Sequence, residues 1–154
     1  MLGRAEILAL FEALNEELRK ASVKGEVYVV GGAVMTLVLD ARASTRDVDA
    51  LFRPAKELRE AAARVAIEHG IEPSWLNDAA KGFLGDKDAF DAYLDLSHLK
   101  VLTAQPEYLL AMKCLSMRIG PEFHDEDDVR YLLRYLNVGS YEQAVAIIER
   151  YYPR

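Results

Sequence analysis

The sequence predicts an α/β (α+β) fold: a small mixed sheet of about four strands, helices packed around it, and a C-terminal helical lobe. Three observations carry this. Residues 27–52 read strand, glycine turn, helix, loop, strand. Residues 92–103 read as a hairpin. Amphipathic helical stretches occupy both ends of the chain. The chain has 154 residues, which suits one domain. Its sheet-bearing core would span about 22–104 and the helical lobe about 105–154, with the N-terminal helix expected to join the last three helices in that lobe.

Taken in order, Ala5 to Ala21 places Ile7, Leu8, Leu10, Phe11, Leu14 and Leu18 on one helical face. Val23 to Glu26 is a polar link with Gly25 as the breaker. Val27-Tyr28-Val29-Val30 is β-branched and aromatic, and it runs into Gly31-Gly32. Ala33 to Leu39 is apolar and helical, and Asp47 to Phe52 alternates as a strand does. Pro54 to His69 is an alanine-rich helix with Leu58, Ala62, Val65 and Ala66 as its buried stripe and Gly70 as its C-cap. His69 reads as a partner of that helix end rather than a metal ligand. Ser74 to Leu84 predicts a short helix capped by Ser74, with Trp75 either anchoring it on the core or stacking on a base; an acidic loop follows from Gly85 to Asp88.

The hairpin turns near Ser97-His98. Pro106 to Ile119 is a helix whose core residues would be Tyr108, Leu109, Met112, Leu115 and Met117. Lys113 interrupts this apolar run, so its charge must reach water or a partner. Gly120-Pro121 ends the helix. Asp125 opens another that runs to Leu136, and Ser140 caps a last one that runs to Tyr152.

The candidate chemistry lies in Asp47 and Asp49. Two carboxylates two positions apart on a strand share a face, with Cβ atoms roughly 7 Å apart. Such hard oxygen ligands suit Mg²⁺, with Mn²⁺ as an alternative, held together with substrate phosphates. The glycine turn lets a triphosphate approach the backbone, and the following helix start attracts anions. Glycine turn plus Asp-x-Asp is therefore a candidate site for metal-assisted nucleotidyl transfer.

The stretch resembles the core of the nucleotidyltransferase superfamily with the polymerase-β-type fold. The run Ser44-Thr45-Arg46-Asp47-Val48-Asp49, the phrase Trp75-Leu76-Asn77-Asp78-Ala79 and the later Leu109-Leu110-Ala111-Met112-Lys113 resemble the small bacterial AbiEii-like nucleotidyltransferases more closely. Many of these are toxins of toxin–antitoxin pairs. The resemblance implies transfer of a nucleoside monophosphate from an NTP to an acceptor hydroxyl. The acceptor would be a tRNA 3′ end for a toxin, with a cognate antitoxin protein as partner, or a partner protein for an AMP-attaching antitoxin. It implies Asp47 and Asp49 at the metal and Gly31, Gly32, Thr45 and Arg46 at the nucleotide. It also implies Lys113 at the triphosphate. Asp125 and Asp128 match an Asp-x-x-Asp helix start, from which Asp128 would reach Lys113 or Arg118. A third carboxylate often stands on a strand beside the Asp-x-Asp strand. Asp95 is the candidate here, its alternative being a solvent-facing strand aspartate. CCA-adding enzymes carry Arg-Asp where this chain has Met35-Thr36, and they need further domains, so that activity is not expected.

Composition sets further bounds. A hydrophobic fraction of 51% excludes a disordered chain. No apolar run is long enough to span a membrane and no signal-peptide pattern opens the chain, so a cytoplasmic location is expected. A net charge of −6 argues against a general nucleic-acid binder, though a local basic patch could still hold RNA. The single cysteine, Cys114, reads as a small buried hydrophobe. A catalytically degenerate nucleotide-binding module is the non-enzymatic alternative.

Overall fold

The β-branched run before the glycine turn becomes a strand at the middle of a mixed five-stranded sheet. The computed structural model describes residues 1–78, 89–116 and 125–152. The strands are β1 (Leu2–Gly3), β2 (Gly25–Val30), β3 (Ser44–Thr45), β4 (Val48–Arg53), β5 (Leu76–Asn77), β6 (Phe90–Asp95) and β7 (Leu99–Ala104). The helices are α1 (Arg4–Lys20), α2 (Gly32–Leu37), α3 (Ala55–His69), α4 (Pro106–Ser116), α5 (Asp125–Tyr135) and α6 (Tyr141–Tyr151). The main sheet has the order β5-β4-β2-β7-β6, and β1 pairs β3 in a separate two-stranded ribbon. The predicted α+β class is the observed one.

One face of the sheet carries Val27, Val29, Val48, Ala50, Leu99 and Val101, all essentially inaccessible to solvent. Helices α1 and α3 cover it. Ile7, Phe11, Leu14 and Leu18 from α1 meet Leu58, Ala61, Ala62 and Val65 from α3 in the same core. Each such side chain contributes about 1.5–3 kcal/mol by leaving water. Thus α1 belongs with the sheet, not with the C-terminal helices, because its apolar stripe matches that face. Gly25 opens β2 instead of breaking the chain: a Cβ there would lie 2.6 Å from Leu58 Cδ2, so the strand start sits directly on α3.

The other face joins the C-terminal helices through rings. Tyr28 meets Phe90 edge-on at 5.2 Å, Phe90 meets Tyr108 of α4 at 5.6 Å, and Tyr108 meets Tyr151 of α6 at 5.0 Å. Helix α4 packs against both α5 and α6. Ser140 caps α6 as expected, its hydroxyl accepting from Gln143 N at 3.2 Å. Leu115 was expected in the core but is 50% exposed, on the side of α4 away from these contacts.

The expected helix over 74–84 is a 3₁₀ turn, Pro73–Trp75, followed by β5, as far as Asp78. Trp75 is an anchor. It is 2% exposed, lies 6.4 Å from the Phe11 ring, and its Nε1 donates to Ala62 O at 3.0 Å. The apolar pair Trp75-Leu76 is drawn into the core and the next residue pairs with β4, so strand pairing overrides the helical pattern. Trp75→Phe is expected to lose about 1–2 kcal/mol with that buried hydrogen bond. Chemical denaturation followed by circular dichroism would measure the loss. The rest of that predicted helix, the acidic loop Gly85 to Asp88, and Met117 to Pro121 lie outside the described residues.

No helix among the described residues is long and apolar enough to cross a membrane.

Candidate active site

β2 ends at Val30, and the chain turns at Gly31 with φ of 70°, a conformation that glycine adopts without strain. Val30 pairs with Asp49 of β4, which brings that carboxylate against the turn. A Cβ on Gly31 would lie 3.1 Å from Asp49 Oδ2, and one on Gly32 would lie 3.1 Å from Thr45 Oγ1 and 2.8 Å from Arg42 Nη1. Any side chain at either glycine would fill the space that the turn shares with these three residues. Gly31, Gly32, Thr45 and Asp49 are thus brought together as expected. Thr45 is 4% exposed and its hydroxyl donates to Asp47 O at 3.2 Å, so it shapes the entry to β4. Helix α2 has only six residues, too few for its dipole to attract an anion strongly.

Asp47 stands one residue ahead of β4 and is half-buried, as is Asp49. The exposed Arg46 turns elsewhere. With Asp47, Glu72, Ser74 and Trp75 it lines a cavity of about 480 Å³ that includes neither glycine.

Asp95 does not complete the carboxylate set. It pairs with Lys100, which is level with Glu26 at the start of β2, whereas Asp49 is level with Val30 at its end. β6 is also the far edge strand, three strands from β4. Strand rise and spacing then put Asp95 roughly 20 Å from Asp49. The strands beside Asp-x-Asp are β2 and β5, and on the β5 side the residue in register with Asp49 is Asn77. Among the described residues no three His, Cys, Asp or Glu side chains are grouped to hold a metal ion. The carboxylates that remain are Asp49, against the glycine turn, and Asp47, half-buried two residues earlier beside the cavity that Arg46 lines; hard oxygens of this kind fit a Mg²⁺ ion that also takes oxygens from a substrate phosphate.

Lys113 is not at the surface. It is 7% exposed, and its Nζ donates to Asp125 Oδ1 at 2.9 Å and lies 2.8 Å from Asp128 Oδ2. Asp128, 2% exposed, also takes the Arg42 guanidinium: Nε donates to Oδ1 at 2.9 Å and Nη2 donates to Oδ2. Two cations and two carboxylates therefore form a buried, charge-balanced quartet that ties α4 and α5 to the loop after α2. The expected reach of Asp128 toward Lys113 is present; Arg118 lies outside the described residues. Tyr131 supports the same junction by donating to Leu39 O at 3.3 Å. Cys114, next to Lys113, is half-buried, and burial pushes its thiol up, which keeps it from acting as a thiolate.

The chain matches no family model, no curated protein and no solved structure.

Two residues of the site were not singled out from the sequence. Arg42 lies 86 positions from its carboxylate partner, so no local pattern announces it. Asn77 was hidden by the helical reading of its segment. The signal available for it was a polar residue directly after a buried Trp-Leu pair.

Proposed function

We propose that the chain is a Mg²⁺-dependent nucleotidyltransferase that moves a nucleoside monophosphate from an NTP to an acceptor hydroxyl. The observation that carries this reading is the contact of the glycine turn with Asp49. A carboxylate that could hold a cation stands against a turn whose backbone carries no side chain, where a phosphate would approach. Asp47 and Asp49 would hold the ion, which would supply charge neutralisation at the phosphates. The acceptor oxygen attacks the α-phosphorus, the bond from that phosphorus to the bridging oxygen breaks, and pyrophosphate leaves with the electron pair. The acceptor's proton passes to solvent. Asn77 of β5 stands in register with Asp49, and its side-chain amide donates to Ser74 O at 3.5 Å.

The sequence resemblance to AbiEii-like enzymes supports a tRNA 3′ hydroxyl as acceptor and a toxin role opposed by a cognate antitoxin, in the cytoplasm. A second reading, attachment of AMP to a partner protein, is favoured by the net charge of −6, which suits a protein acceptor better than RNA.

The test is transfer of label from each α-labelled NTP, with Mg²⁺, to total tRNA and to protein. Label in tRNA that Asp49→Ala loses is the expected result. Label on protein alone would select the second reading. An absence of label from both, with intact NTP binding, would leave the degenerate module.

A further inference from the structure

We propose that Arg42 is the side-chain cation that meets the triphosphate, the role that the sequence reading gave to Lys113. This rests on the nucleotidyltransferase reading above. The Asp128 carboxylate grips one edge of the Arg42 guanidinium through Nε and Nη2. Two parallel bonds of that kind fix the plane of the group. The remaining nitrogen, Nη1, has no hydrogen-bond partner among the described residues. No buried side-chain nitrogen in those residues lacks one, so Nη1 is open to solvent. It stands 2.8 Å from the point a Gly32 Cβ would occupy, with Thr45 Oγ1 3.1 Å from the same point. An N–H of the charged guanidinium thus packs against the bare backbone of the glycine turn.

Lys113 is placed differently. Its ammonium is enclosed and already bound to two carboxylates, 2.9 and 2.8 Å away. Two of its three N–H donors are taken, and at 7% exposure the third has little access to a phosphate. Asp128 divides its charge between Lys113 and Arg42, and the free edge of the guanidinium still carries part of its delocalised positive charge. Charge at that edge would offset the negative charge that builds on pyrophosphate as it leaves.

The experiment is calorimetric titration of inorganic tripolyphosphate, with Mg²⁺, into the wild type, Arg42→Lys and Arg134→Ala. Lysine keeps the charge but cannot hold the carboxylate fork and reach the turn together. Arg134 lines the neighbouring cavity of about 400 Å³, which Arg42, Asp128 and Tyr131 also border. The expected result is binding weakened at least about tenfold in Arg42→Lys and unchanged in Arg134→Ala. Wild-type affinity in Arg42→Lys would overturn the proposal, as would an equal loss in Arg134→Ala, which would put the anion in the cavity. If Arg42→Lys does not fold, Gly32→Ala keeps Arg42 and Asp128 and crowds Nη1; the same loss is expected, and unchanged affinity overturns the proposal. A wild type that binds neither tripolyphosphate nor any of the four NTPs would instead sink the nucleotidyltransferase reading itself.

Discussion

Asp128→Ala is expected to destabilise the protein by about 3–5 kcal/mol, the range seen when one partner of a buried ion pair is removed. The carboxylate serves Arg42 and Lys113 at once, and its side chain is 3% exposed. Without it, Arg42 would lose its carboxylate and Lys113 would keep only Asp125 of the two it now binds. Lys113 could not turn outward without breaking the packing of α4. A loss of that size is a large part of the ordinary 5–15 kcal/mol of a domain. Denaturant titration would show it as a shifted midpoint. Arg130→Ala is the matched control: it breaks the Arg130–Glu126 pair of 2.7 Å on the same helix, where both side chains are more than half exposed. That change should stay under about 1 kcal/mol. Equal effects from the two variants would mean that the quartet does not brace the lobe.

The contrast between these pairs also shows where sequence reasoning reaches. Short-range patterns were legible. The stripe of α1, the glycine turn, the alternation of β4 and the hairpin β6–β7 all depend on neighbours a few residues apart. The reach of Asp128 toward Lys113 came only with the resemblance and its Asp-x-x-Asp helix start; the residues alone said no more than that a lysine in an apolar run needs water or a partner. What failed depended on strand order. Asp95 is flanked by leucines and looks well aimed, but its strand joins the sheet through β7, at the far edge from β4. β5 reaches β4 because Trp75 and Leu76 are pulled into the core, and a two-residue strand has no periodicity to detect. Arg42 gives no signal at all in one dimension: only the folded lobe brings Asp128 to it.

The same sheet order separates two aspartates that the sequence treats alike. Asp49→Asn is expected to lower nucleotidyl transfer on the order of 10³-fold, and Asp95→Asn to leave it unchanged. Asparagine keeps the shape of the side chain, and the backbone of residue 49 is held from both sides by Val30 and Asn77. The strand should therefore stay in register, with the melting temperature within about 2 °C of wild type. What is lost is the negative charge that stands against the glycine turn. With it goes the attraction that holds a divalent cation against the phosphates. Asp95 is exposed, opposite Lys100 at the other end of the sheet, so its charge is felt there only through solvent. Initial rates of label transfer, measured beside Mn²⁺ binding, would separate the two variants. Equal loss in both would mean that the chemistry is not gathered at the end of β2. Full activity in Asp49→Asn would remove the carboxylate from the mechanism and leave the glycine turn as a structural bend.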